Sequence, residues 1–452
     1  MTESSSASAY ASLAAVGRQC QQLGIWPVVA QRVRIKQKVR VHTPQEKLLD
    51  CFINILAGGH GLVEINTRVR SDPALQRAFG RRRCAEQSTI SDTLNACTPE
   101  NVAQLRTALG CLLRTHGQTY RHDYQARWQL FDIDMTGLRA GRLGEGVEKG
   151  YFAQHKNARG RQLGRVIASH YDELLCERLY PGKRQLESSL LELVDASAAT
   201  LKLRETQRKN TVLRIDGGGG SDANLDALLR RPYQVLVKVH NWQRARKLAE
   251  TVTEWWADSK VPEREIGWVS QPHAYVQPTH QIAIRKPKPT GGWTYTVIVS
   301  SVSDAILADL LHVPATTVCN ARERAVQIVH AYDQRGGGAE TQIKGDKQGL
   351  GLAKRTKHKF AAQEMLVLLA QLAHNVTIWT RNALAAGAPR LAPYGIQRMV
   401  RDVFHIPGQL RFDAADHLHI VLSEHHPLSA SVVRGFAQWS PRDDLSLILG
   451  KI

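Results

Sequence analysis

Three carboxylates stand in settings that could serve one reaction. Asp134 lies within Leu130-Phe-Asp-Ile-Asp-Met-Thr136, Asp216 ends the apolar run Val212-Leu-Arg-Ile-Asp216 ahead of four glycines, and Glu340 follows Tyr332-Asp-Gln-Arg335 across a glycine-rich step. Acids of this kind can hold two divalent cations about 4 Å apart, one activating a water or a 3′-hydroxyl and the other stabilising the leaving oxygen of an in-line displacement. Mg2+ suits an all-oxygen set that keeps positions open for water and substrate, with Mn2+ as the alternative ion. The predicted chemistry is metal-dependent breaking or joining of phosphodiesters.

Asp132 and Asp134 are two apart on a predicted strand and share a face. Asp134 is the preferred ligand, because Met135-Thr136 follow it at the strand's end, where a carboxylate can reach an open site. The glycines after Asp216 do not form a phosphate-binding loop of the Gly-Lys-Ser/Thr type, since no lysine follows them. Nor do they read as a linker, with an apolar strand leading in and a capped helix over Ser221–Leu229 leading out; they would let a metal and a nucleic-acid backbone approach closely. Glu340 is predicted to open a helix, which sets Lys344 and Lys347 on its own face. With Arg335 these lysines offer donors to phosphate oxygens, whereas the Glu340–Lys344 spacing taken alone would mean a solvated pair.

The elements that must position these residues follow from apolar periodicity. Strands over Gln129–Met135, Gln162–Tyr171 and Glu173–Leu179, a helix over Ser188–Arg208 and a strand over Asn210–Asp216 make a β-β-β-α-β order with an acid on the first and fourth strands. That is the order of a ribonuclease-H-like α/β core. Strand-like runs at Tyr233–Val239, Glu265–Val269, Gln281–Arg285 and Trp293–Ser300 predict a β-rich insertion, with a basic turn at Arg285-Lys-Pro-Lys-Pro289. A long apolar helix over Phe360–Leu384 follows, then a hairpin from Gln409–Phe412 and Leu418–Leu422.

The first part of the chain is mostly helical. Arg32, Arg34, Lys36, Lys38 and Arg40 alternate with apolar residues, which predicts a strand with one cationic face, fit for a phosphate backbone or for guarding a sheet edge. Arg81, Arg82 and Arg83 precede a helix start at Ser88-Thr-Ile-Ser-Asp-Thr-Leu94 that could read DNA as a helix-turn-helix does, although Ser and Thr there are also ordinary caps. The expected organisation is a helical DNA-binding region over 1–125, a catalytic domain in two parts over 126–229 and 321–388, the insertion over 230–320, and a carboxy-terminal region over 389–452.

With 452 residues, several domains can each bury a core. A formal net charge of +19 and a pI near 9.8 favour a partner carrying phosphates. No apolar run is long enough to span a bilayer and the first residues lack the order of a secretion signal, so a soluble cytoplasmic protein is expected. The seven cysteines are dispersed, without metal-ligand spacing, and read as small buried residues.

Taken together, these motifs resemble the DDE transposases of bacterial insertion sequences, in the group whose ribonuclease-H-like domain carries a β-strand insertion and whose third acid lies in a Tyr-x2-Arg-x3-Glu-x6-Lys signature. The resemblance implies that Asp134, Asp216 and Glu340 are the catalytic, metal-holding acids, with Tyr332, Arg335 and Lys347 as companions at the DNA. It implies cut-and-paste transposition: a homodimer binds the terminal inverted repeats of double-stranded DNA, cuts, and joins the freed ends to target DNA. It also makes Trp268 and Trp293 candidates for stabilising a flipped base, against a plain core role for each. Four residues, Gly336-Gly-Gly-Ala339, separate Arg335 from Glu340, one more than the signature has, and the extra one is expected to be absorbed in a loop. The competing readings are a catalytically inactive or domesticated DNA-binding protein of the same fold, and a ribonuclease-H-like nuclease without strand transfer.

Overall fold

In the computed structural model, residues 5–152, 155, 157–314, 320–354, 356–439 and 444–451 are described. The chain divides into two units, one of Met1–Gly117, Arg139–Val147 and Gln342–Ile452, the other of Gln118–Leu138 and Glu148–Thr341. The first unit opens with a short strand, β1 (Ser6–Ser8), and a series of helices ending in Pro99–His116. Thr43 and Thr98 start two of these helices with reciprocal capping boxes, each followed by a proline whose missing N–H costs nothing in the first turn. The cationic strand expected from Arg32 does not form. Arg32 ends the helix Ile25–Arg32, and residues 33–41 run without regular structure. Val33 and Ile35 are buried in the helical core, so the alternation reflects packing of an irregular segment instead of pairing with a strand.

The second unit holds one sheet. Its strands are β2 (Gln129–Arg139), β3 (Glu148–Lys149), β4 (Arg159–Ala168), β5 (Glu173–Pro181), β6 (Thr211–Ile215), β7 (Gln234–Lys238), β8 (Trp256–Ala257), β9 (Glu265–Trp268), β10 (His280–Pro287) and β11 (Trp293–Ser300). β5 pairs antiparallel with β4, β4 neighbours β2, and β2, β6 and β7 run parallel to one another. That sequence of five is the ribonuclease-H-like core. β6 is buried along its whole length, as a parallel strand covered on both faces must be. The run at Tyr233–Val239, grouped with the insertion on sequence, is therefore the fifth core strand, and the insertion extends the same sheet: β11 pairs antiparallel with β7, then β10, β9 and β8 follow.

The step to Glu340 differs from expectation. No loop intervenes: the helix Ala321–Arg335 passes through a π turn at Gly336–Glu340 straight into the helix Thr341–Gly349. In the first unit, the helix Phe360–Gly387 is buried over most of its length. β12 (Gly408–Phe412) and β13 (Leu418–Ser423) form the expected hairpin, flanked by β1 and by the parallel β14 (Leu445–Gly450). Of the cysteines, Cys20, Cys51, Cys84, Cys97 and Cys176 are buried and Cys111 is half-buried, while Cys319 lies outside the described residues. No helix among the described residues is long and apolar enough to cross a membrane.

Candidate active site

Two neighbouring strands carry a matched pair of charged positions. β2 and β6 run parallel with Asp132 opposite Arg214 and Ile133 opposite Ile215, and the register carried one residue further sets Asp134 against Asp216. The inner pair closes on itself. Arg214 meets both oxygens of Asp132, at 2.6 Å from Nε and 2.7 Å from Nη2, and Ser169 Oγ donates to Asp132 Oδ2 at 2.6 Å. Asp132 is fully buried and both of its oxygens are engaged within the protein, which sets it back from solvent. Arg214 also donates from Nη1 to the carbonyl of Ala331 at 2.7 Å, tying the strands to the helix Ala321–Arg335.

The outer pair meets that helix through two side chains on one of its faces. Tyr332 Oη donates to Asp216 Oδ1 at 3.3 Å. Arg335 reaches Asp134 Oδ2 at 3.0 Å from Nη2 and Glu340 Oε1 at 3.3 Å from Nη1. One guanidinium thus joins the first and third acids. On an α-helix residues five apart do not face each other, but a π turn closes between i and i+5, so the wider turn brings Arg335 and Glu340 together across the extra residue. Gly338 lies over the inner pair, where a Cβ would fall 3.2 Å from Asp132 Oδ2.

The electrostatics match this gathering of acids. Burial holds the Asp134 carboxyl above the usual carboxylate range, with the nearby charges of Asp216 and Glu340 adding to it, against the pull of Arg335 and the Met135 N–H. Burial alone would depress Arg335, yet the charges of Asp134 and Asp216 hold it well above its ordinary value. Tyr332 is pushed up by burial and then by Asp216, so it stays a donor. Among the described residues no group of three or more His, Cys, Asp or Glu is drawn close enough to hold a metal ion as it stands. The donor set nevertheless suits a hard divalent cation. It is all carboxylate, Asp134 and Glu340 meet on one guanidinium, and the Glu340 side chain is 63% exposed, beside 16% for Asp134.

The remaining predicted contacts fare differently. Lys344 is exposed and Lys347 half-buried on the helix Thr341–Gly349. Arg81 is corrected: it is 4% exposed, holding Asp50 at 2.7 Å and Glu46 at 2.6 Å, and so braces the amino-terminal helices instead of facing a ligand. Arg82 and Arg83 are exposed. Arg83 and Thr89 line a cleft of about 590 Å³ together with Lys38, Arg40, Lys47 and Arg70, which brings together cations far apart in sequence; Glu86 and Asp92 stand on the same wall, so the cations outnumber the acids there five to two. Trp268, half-buried, donates its indole N–H to the Ala321 carbonyl at 2.9 Å, and Trp293, also half-buried, lies against Arg285, which meets Trp255 as well. Sequence reasoning missed Arg214, although a charge inside the apolar run of β6, two residues before Asp216, repeats the spacing of Asp132 and Asp134. The glycines after Asp216 also have a packing reason, since a Cβ on Gly220 would fall 1.9 Å from the Lys238 carbonyl oxygen.

Among solved structures the chain is similar to one described as the cryo-EM structure of the piggyBac transposase synaptic complex with hairpin DNA, at 12% sequence identity and a TM-score of 0.46, over 85% of this chain and 78% of that one. No curated protein matches the chain. A family model described as transposase DDE domain group 1 matches residues 6–440, a span that takes in all three acids. The chain belongs to that family of DDE transposases.

Proposed function

We propose that this transposase cuts DNA at the ends of a mobile element and joins the freed ends to target DNA, with Asp134, Asp216 and Glu340 as its catalytic acids. The observation that carries the reading is the meeting of Asp134 and Glu340 on Arg335, with Asp216 held by Tyr332 from the same helix. Mg2+, or Mn2+ in its place, held by the three carboxylates would supply the activated hydroxyl and stabilise the leaving oxygen. The chain's own groups have separate tasks. Tyr332 orients the Asp216 carboxylate, Arg335 spaces Asp134 from Glu340, and the Asp132–Arg214 pair fixes both strands and the helix beneath them. Arg82, Arg83, Lys344 and Lys347 are proposed phosphate contacts, and the active form on paired inverted repeats is proposed to be a homodimer acting on cytoplasmic DNA.

Asp216→Asn and Glu340→Gln are expected to lower Mg2+-dependent cleavage of the DNA flanking the coding region by at least about a thousandfold, because each removes a ligand charge. Binding of the same DNA should stay within about threefold, since these acids do not attract phosphate. Cleavage retained by either variant would overturn the assignment. Gel separation of joined from merely cut products distinguishes strand transfer from simple nuclease action.

A further inference from the structure

We propose that Asp258 and Arg264, on the hairpin between β8 and β9, are positioning residues for the chemistry at Asp134, Asp216 and Glu340; the role rests on the function proposed above. The hairpin is closed by the Asp258 N–H donating to the Arg264 carbonyl at 2.8 Å. From it, a chain of charges reaches the helix Ala321–Arg335. Asp258 Oδ1 accepts from His330 Nε2 at 2.9 Å and from the Lys260 N–H at 2.9 Å, while Oδ2 pairs with Arg264. Arg264 Nη1 continues to Asp333 Oδ2 at 2.6 Å. The Asp258 side chain is fully buried and that of Arg264 is 6% exposed, so the contacts at Asp258 are not screened as surface pairs are, while the Asp333 end of the chain, 39% exposed, reaches solvent.

The placement on the helix is what gives the network a purpose. His330 and Asp333 are three apart on one face; Tyr332 and Arg335, also three apart, project from the opposite face toward Asp216 and Asp134. At the start of the helix Trp268 on β9 holds the Ala321 carbonyl, and beside His330 Arg214 holds that of Ala331. The hairpin therefore sets the height and rotation of the two turns that present Tyr332, Arg335 and the π turn with Glu340. A buried ion pair adds little net stability over apolar residues of the same size, but a forked guanidinium between two carboxylates fixes direction as well as distance. The insertion would then be part of the catalytic apparatus, as the back wall of the third acid's helix.

The test uses the full chain and the double variant Asp258→Asn/Arg264→Met, which removes both charges, leaves no buried guanidinium unpaired, and keeps an amide oxygen to accept from His330 and the Lys260 N–H. It is expected to melt within a few degrees of the parent and to bind flanking DNA equally well. Its single-turnover cleavage at saturating protein should fall at least about tenfold, as small misplacements of reacting groups do, and amide exchange over residues 328–340 should quicken. Arg264→Lys, which keeps a charge toward Asp258, should recover part of the rate. Ile420→Val in β13, a control for mild destabilisation, should change neither rate nor exchange. Unchanged cleavage and exchange in the double variant, with Asp216→Asn inactive, would overturn the positioning role and leave the proposed function standing. Cleavage by Asp216→Asn would instead overturn both.

Discussion

At the residue scale, two aspartates on one strand face the same way and differ in everything else. Asp132 is locked under Arg214 and Ser169, whereas Asp134 shares Arg335 with Glu340. Neutralising the inner one leaves the Arg214 guanidinium buried without its counter-charge. Asp132→Asn should therefore cost about 3–5 kcal/mol of stability. Asp134→Asn removes a carboxylate that its neighbours already crowd, and should shift stability by less than about 1 kcal/mol while abolishing cleavage. Denaturant unfolding of both variants checks the contrast; equal losses would mean that Asp132 is not the structural partner. The shared face was legible from the spacing of two. The division of labour was not, because it depends on which residue of β6 stands across from each aspartate, and that register comes from tertiary pairing.

At the element scale, the order of strands was legible because long, largely apolar runs separated by turn residues leave few alternatives, and the parallel β6 is buried on both faces, with Arg214 neutralised by Asp132. The continuous helix through Glu340 was not. Three successive glycines read as a break, since each costs roughly 1 kcal/mol relative to alanine inside a helix. Here the Arg335–Glu340 contact and the close approach of Gly338 to Asp132 accompany a π turn. A Cβ added at Gly336 or Gly337 would meet nothing within 4 Å beyond the helix's own backbone, so neither glycine is required by packing. Deleting Gly337 should let the π turn relax to an α turn, with Arg335 and the acid then four apart and still facing. The expected result is a protein that melts no lower than its parent and cleaves within about threefold of its rate. A well-folded deletion that no longer cleaves would mean that the wider turn itself sets the carboxylate.

At the scale of the whole molecule, the three proposed catalytic acids and a cleft rich in cations fall in different units. The three acids and their partners lie within Gln118–Leu138 and Glu148–Thr341, whereas the cleft with Lys38, Arg40, Lys47, Arg70 and Arg83 lies within Met1–Gly117. Sequence alone placed cations in both segments of that cleft, but it assigned Lys38 and Arg40 to a strand and Arg81 to the ligand-facing group. Only folding turned Arg81 inward to Asp50 and brought Lys38 and Arg40 beside Arg83. If the cleft holds the DNA backbone, affinity and catalysis should separate. Replacing Lys38, Arg40 and Arg83 together by alanine removes up to three phosphate contacts, so the slope of log affinity against log salt should flatten by about 2 to 3. At protein concentrations that saturate the DNA, the single-turnover cleavage rate should remain within about twofold of the parent, because the acids are untouched. Fluorescence anisotropy across a salt series, paired with cleavage at saturation, measures both. An unchanged slope would remove the cleft from the binding surface, and a slope that flattens together with a collapse of the saturated rate would mean that the cleft also helps to place DNA at the acids.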